Sequence, residues 1–120
     1  MGLLDLIRHK GRPKSPEEAD ALALRQLAGG GADLAQPRHV LHFLYFPAER
    51  DARAVAELAS EAGWSVAVEP PGERVADWTV RADGTRVVSS TTVESFRAWF
   101  EHVAEEHAGE YDGWEAAAKP

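Results

Sequence analysis

Apolar residues recur at helical spacing in three parts of this chain, at about 16–28, 48–62 and 92–107. Ser15, Pro16 and Glu18 match the N-cap, the first helical position and the capping-box acid of a helix start. Three glycines at positions 29–31 favour the end of that first helix. The pattern therefore predicts three amphipathic helices, the first with clear start and stop signals.

Alternation of apolar and polar residues predicts strands in three further segments, 39–46, 64–69 and 75–81. The first of these is apolar on both faces, which is typical of a strand in the middle of a sheet. Pro70-Pro71-Gly72 predicts the turn of an antiparallel pair, and Asp83-Gly84 predicts a second turn or a bulge before residues 85–88. After the last of these strands, Thr91 and Glu94 form a capping-box pattern that opens the third helix.

The order of the predicted elements is helix, strand, helix, strand, strand, helix, and then an aromatic tail that supplies a last short strand or a packed extension. This order is most of a split βαβ unit. We therefore expect an α+β fold: a ferredoxin-like α/β sandwich with a mainly antiparallel sheet, helices on one face and an extra N-terminal helix. A single domain over residues 15–118 accounts for this order, and residues 1–14 precede it as a basic flexible arm.

Charge is distributed unevenly along the 120 residues, which include 13 Lys or Arg and 20 Asp or Glu for a net charge of −7. Four of those bases and one of those acids lie in residues 1–14, which leaves 9 bases and 19 acids for the rest. An acidic body repels nucleic acid and attracts basic protein segments. We therefore expect no direct binding of DNA or RNA.

Cysteine is absent from the sequence, which excludes disulfides, a thiol nucleophile and thiolate metal ligands. This composition suits the reducing cytoplasm, where we expect the protein to act. No apolar run reaches the ~18 residues that a membrane-spanning helix needs. The apolar stretch near the N-terminus is interrupted and precedes its basic residues, which is unlike a signal peptide. We therefore expect no membrane partner.

The histidines do not form a metal-binding pattern. His39 and His42 lie three residues apart on a strand and therefore face opposite sides of the sheet. His102 and His107 diverge by about 140° around a helix axis. The C-terminal carboxylates occupy solvent-facing positions, whereas a catalytic acid or base needs burial or a partner that tunes its pKa. We expect no metal, no cofactor and no catalytic residue.

The residues after the third helix contain two large aromatic side chains, where a fraying terminus is the usual expectation. Tyr and Trp rings each cover roughly 150–250 Å² when packed. In one interpretation, Asp112-Gly113 forms a tight turn while Tyr111 and Trp114 complete the core. In the other, the two rings form part of a partner-binding surface, as Tyr and Trp often do. The carboxylates near them are Glu105, Glu106 and Glu110.

Several segments of the chain are similar to those of a known protein family. They are Gly31-Ala32-Asp33-Leu34-x-x-Pro37-Arg38, the strand His39–Phe46 with Pro47, Ala62-Gly63-Trp64-x-Val66, Trp78, and Glu110-Tyr111-Asp112-Gly113-Trp114. Together they resemble the ribonuclease E inhibitor family, the group called regulator of ribonuclease activity B, over about residues 17–116. The last segment is the most specific. The resemblance implies a small acidic α/β protein without catalytic activity. Such a protein binds the scaffold region of the endoribonuclease that initiates messenger RNA decay, and so alters RNA turnover.

We therefore predict a non-enzymatic protein-binding regulator, with a ribonuclease E/G-type endoribonuclease as the partner implied by the resemblance. The oligomeric state is left open. The predicted protein-binding residues are Glu105, Glu106, Glu110, Tyr111, Asp112, Gly113 and Trp114. Two alternatives remain: a ferredoxin-like domain that senses a small molecule, and an enzyme that uses surface carboxylates or His42.

Overall fold

A computed structural model describes residues 15–120, and the basic arm predicted for residues 1–14 lies outside the described residues. The helices are α1 (Pro16–Gly29), α2 (Glu49–Glu61) and α3 (Ser90–Glu106). The strands are β1 (Pro37–Phe46), β2 (Ser65–Glu69), β3 (Trp78–Val87) and β4 (Glu110–Ala116). The aromatic tail thus forms the last strand. No helix in this described part has the length and apolar character needed to cross a membrane.

The four strands form one antiparallel sheet in the order β4-β1-β3-β2. α2 and α3 pack on the sheet, and their buried residues join those of β1 and β3 in one hydrophobic core. α1 packs against α3. This is the split βαβ arrangement with an added N-terminal helix. The predicted α+β fold, with its antiparallel sheet and N-terminal helix, is confirmed.

β1 is a central strand with β3 on one side and β4 on the other, as its two apolar faces predicted. Val40, Leu44 and Phe46 are completely buried on the face that the helices cover. Leu41 and Phe43 are half-buried on the opposite face. The alternation follows from the two-residue period of a strand, and it places every even-numbered residue of β1 from 38 to 46 in the core.

The helix starts agree with the sequence for α1 and differ for α3. The hydroxyl of Ser15 accepts a hydrogen bond from the backbone N–H of Glu18 at 3.1 Å, as an N-cap does. α3 is capped by Ser89, which forms a reciprocal capping box with Thr92. The prediction of a box from Thr91 and Glu94 was therefore wrong. The Thr92 hydroxyl accepts from the Ser89 backbone N–H at 2.9 Å and so takes the role expected of a glutamate.

β3 runs without interruption through Asp83-Gly84, where the sequence predicted a turn or bulge before residues 85–88. Gly84 pairs with a residue of β1 in the regular ladder. A Cβ at position 84 would lie 2.8 Å from the Arg86 guanidinium and 3.3 Å from the Trp64 ring. The absence of a side chain at position 84 thus leaves room for these two groups, and the guanidinium carbon of Arg86 lies 4.2 Å from the centre of the Trp64 ring.

Candidate protein-binding surface

The seven predicted contact residues lie where α3 ends and β4 begins, and the structure separates them into two layers. The exposed layer contains Glu105 and Glu106 in the last turn of α3 and Glu110 at the start of β4, with Asp112 half-buried beside them. The buried layer contains Tyr111, Gly113 and Trp114, and the two rings are 9 % and 3 % exposed. The carboxylates therefore face outward, while the rings fix the strand to the core.

A β-bulge in β4 explains why both rings face the core. Tyr111 and Trp114 are three residues apart, and in a regular strand they would point to opposite faces. β1 pairs with Gly113 and then directly with Tyr111, so Asp112 is the extra residue of a bulge. Gly113 has a φ of 124°, which glycine adopts without strain. Asp112-Gly113 is thus a bulge within a strand, where one interpretation of the sequence had a tight turn.

A buried ion pair joins α1 to α3 next to these rings. Arg97 donates two hydrogen bonds to Asp20, from Nε to Oδ2 at 2.5 Å and from Nη2 to Oδ1 at 2.8 Å. The indole Nε1 of Trp114 donates to the same Oδ1 at 2.9 Å. Burial opposes the charge of Arg97, but the hydrogen bonds and the negative charge of Asp20 outweigh it and raise the pKa of Arg97. One carboxylate therefore links α1, α3 and β4.

The contacts continue from Arg97 through Tyr111 to His42. The guanidinium carbon of Arg97 lies 5.0 Å from the centre of the Tyr111 ring, a cation–π distance. The hydroxyl of Tyr111 lies 2.7 Å from Nδ1 of His42. The imidazole stacks on Phe100 with 4.2 Å between ring centres, and Trp64 approaches it edge-on at 4.8 Å. His42 is therefore a core residue enclosed by aromatic rings.

His42 is neutral in this environment. Burial disfavours its charged form and, with the positive charges of Arg86 and Arg97, lowers the pKa of His42 to about 3. Burial also raises the pKa of Tyr111, so its hydroxyl keeps its proton at neutral pH. The second ring nitrogen, Nε2, is buried and has no hydrogen-bond partner among the described residues. A base with such a low pKa accepts protons poorly at neutral pH, so this arrangement is better suited to packing than to proton transfer.

In the described part of the chain, the remaining histidines and carboxylates do not gather into one site. Within residues 15–120, no three His, Asp or Glu side chains are placed to hold a metal ion together. His39 is exposed on the sheet face opposite to buried His42, as predicted. His102 pairs with Glu106 on the surface of α3, whereas Nδ1 of His107 donates to the backbone carbonyl of Val103 at 2.9 Å.

Neither the Asp20–Arg97 pair nor the buried guanidinium of Arg38 was predicted from the sequence. Arg38 has no exposed surface and donates to the backbone carbonyls of Ala117 and Ala118, which ties the end of β4 to the start of β1. Arg97 and Arg38 both occupy core-facing positions of otherwise apolar faces, on α3 and β1. A charged residue within an apolar pattern could therefore have indicated these buried contacts, because a charged side chain must find a partner when it is buried.

The family model described as regulator of ribonuclease activity B matches residues 17–116 of this chain. The matched span runs from the first turn of α1 to the last residue of β4, so it includes the helices and strands given above. It also contains the bulge, both aromatic rings and the exposed carboxylates at the end of α3. No individual protein of curated function is significantly similar to the chain.

Proposed function

We propose that this chain, which belongs to the regulator of ribonuclease activity B family, is a non-enzymatic protein that binds a ribonuclease E/G-type endoribonuclease and modulates RNA decay. The family match carries the proposal, since the family's description names regulation of a ribonuclease. The net charge of −7 supports a basic segment of that nuclease as the part that is bound. Opposite charge steers such partners together and raises the association rate.

We place this contact on the C-terminal acidic surface, by which we mean Glu105, Glu106, Glu110 and Asp112. The bulge and the two buried rings hold β4 beside β1, so Glu110 and Asp112 are carried by a fixed backbone. Glu105 and Glu106 lie in the last turn of α3, which packs on the sheet. Tyr111, Gly113 and Trp114 thus support the surface from inside. A surface that is already ordered binds a partner with a smaller entropic cost than one that must first become ordered.

The geometry of the core supports a role without catalysis. His42 is completely buried and neutral, and its Nδ1 is engaged by the hydroxyl of Tyr111. Both carboxylate oxygens of Asp20 already accept hydrogen bonds from Arg97 or Trp114. A general base needs a free lone pair and access to the proton that it removes: the oxygens of Asp20 are already engaged, and His42 is enclosed by the core.

A pull-down with the immobilised full-length chain and the host's ribonuclease E/G-type enzyme tests the proposal. We expect the intact chain to retain the nuclease at low salt and to release it as added salt screens exposed charges. A triple variant, Glu105→Gln/Glu106→Gln/Glu110→Gln, is expected to bind at least about tenfold more weakly because it lacks the charges that attract the partner. Its thermal unfolding should match that of the intact chain.

The matched control is Glu57→Gln/Glu61→Gln/Glu73→Gln, which removes three exposed carboxylates elsewhere on the surface. It is expected to retain the nuclease fully. Trp114→Ala is not a suitable variant, since it removes a ring from the core. No retention by the intact chain would contradict the proposed function. Equal losses in the two triple variants would contradict the placement of the contact.

A further inference from the structure

A groove of about 360 Å³ lies between α1 and α3. The apolar side chains that line it are Ala21 and Leu24 from α1 and Val93 and Ala98 from α3. Leu24 is half-buried and Val93 is buried, whereas Ala98 is exposed at the edge. The Asp20–Arg97 pair also lines the groove, and its charges compensate each other. The groove therefore offers an apolar floor that solvent reaches.

The rim of this groove is acidic. Glu17 lies on the α1 side, and Glu94 and Glu101 lie on the α3 side. Arg97 is the one basic residue among the described lining residues, and its strongest contacts go to Asp20, with Glu101 at a longer 3.7 Å. An apolar floor between walls of negative charge is complementary to an apolar side chain that has cations on both sides.

The acidic rim continues into the C-terminal acidic surface. Glu94, Glu101 and Glu105 follow one another at intervals of seven and four residues, so they share one side of α3. At 1.5 Å per residue, this row is ~16 Å long. An extended segment of about five residues has the same length. One linear segment of a partner can therefore contact the groove and approach the surface at the end of α3.

We propose that the groove between α1 and α3 binds a linear basic protein segment, in which an apolar side chain flanked by Arg or Lys inserts between Leu24 and Val93. The inference rests on the proposed function and names the chemistry of the nuclease segment that is recognised. The inserted side chain covers the floor, while the flanking cations pair with Glu17 on one wall and Glu94 or Glu101 on the other. A small polyamine supplies the cations but has little apolar surface for the floor.

Fluorescence anisotropy with the full-length chain and two labelled peptides tests the groove. The peptides carry equal charge, and one has leucines between its arginines where the other has serines. The leucine peptide is expected to bind at least about tenfold more tightly, because only it covers the apolar floor. Ala98→Phe, which fills the groove from an exposed helix position, and Glu94→Gln/Glu101→Gln should each weaken that binding by about tenfold. Glu57→Gln/Glu61→Gln, on α2, should leave it unchanged.

If the chain bound the two peptides with equal affinity, the groove would not be the site. The same conclusion would follow if Ala98→Phe kept the Tm of the intact chain and bound the leucine peptide equally well. If spermine raised the Tm of the chain and the leucine peptide did not, the proposed protein segment would be overturned in favour of a small polycation. In the nuclease pull-down, equal retention by the intact chain and Ala98→Phe would overturn the groove while the proposed function stands. Groove-dependent peptide binding without retention of the nuclease would support the groove and contradict the function.

Discussion

We call α3 together with β4 the C-terminal unit. Its side facing the core is aromatic and buried, whereas its side facing solvent is acidic and exposed. Inward, Phe100, Tyr111 and Trp114 are buried, and polar atoms such as the indole N–H and the Tyr111 hydroxyl have partners. Outward, Glu94 and Glu105 are exposed to solvent. The unit therefore combines a closed, largely hydrogen-bonded interior with an open acidic exterior.

This difference indicates that the stability of the protein and the binding proposed for it depend on different residues. Substitutions on the inward side remove buried contacts and are expected to lower the free energy of unfolding. Substitutions on the outward side change exposed charge, which affects stability by about 0.5 kcal/mol or less in most cases. A variant that weakens nuclease binding without a change in stability is therefore expected only on the outward side.

The largest loss of stability is expected from Asp20→Ala. This change removes the buried counter-charge of the Arg97 guanidinium, which keeps only the half-exposed Glu101 at 3.7 Å, and leaves the indole N–H of Trp114 without its acceptor. Breaking a buried pair in this way costs about 3–5 kcal/mol, which urea denaturation measures. The control is Glu49→Ala, which breaks the exposed pair with Arg53 and should cost less than about 1 kcal/mol. Similar losses in the two variants would contradict the distinction between the two sides.

A second large effect is expected from pH, through His42. Its pKa is about 3 in the folded protein and 6.5 when unfolded, so the unfolded chain binds more protons between these values. The free energy of unfolding therefore falls as the pH drops from about 6.5 toward 3. Between pH 7 and pH 4.5, this group alone lowers it by roughly 2–3 kcal/mol.

The variant His42→Phe removes this titration, so its stability should depend less steeply on pH than that of the intact chain. Urea denaturation at several pH values measures the difference. His102→Gln removes an exposed histidine on α3 and serves as the control. If His102→Gln flattens the pH dependence as much as His42→Phe does, the effect does not come from the core.

A smaller loss is expected from Gly109→Ala, in the turn that joins α3 to β4. A Cβ there would overlap the ring of Phe46 and would lie 2.7 Å from the backbone oxygen of Tyr45. Overpacking of this kind costs about 1–3 kcal/mol. Gly29→Ala is the matched control, because a Cβ at the end of α1 has no atom within 4 Å. Thermal unfolding should show a lower Tm for Gly109→Ala alone, and a loss of equal size in both would contradict the overlap.

Much of the fold was predictable because its signals are local. The helical period of α2 and α3, the N-cap at Ser15 and the two apolar faces of β1 depend on residues close together in sequence. Two predictions were wrong, the capping box of α3 and the interruption at Asp83-Gly84, because the same local sequence pattern can arise for another reason. Asp83-Gly84 has the composition of a turn, but in the structure its glycine leaves room for the side chains of Arg86 and Trp64, which lie close to the strand.

The candidate surface was predictable in part. The carboxylates Glu105, Glu106 and Glu110 are on the surface, as expected from their positions on the helix and after it. The place of the rings was left open between core and surface, and the bulge at Asp112 decided it in favour of the core. The groove between α1 and α3 was not foreseen, because no single element contains both of its walls.

The sequence by itself determined the element order, the acidic charge of the chain and the family, since these depend on composition and on spacing along the chain. Only the tertiary structure decided that Asp20 meets Arg97, which is 77 residues away, and Trp114, which is 94 residues away. It also decided that His42 is enclosed and neutral. The physical reason is that burial and pairing depend on which elements meet in space, whereas periodicity describes one element at a time.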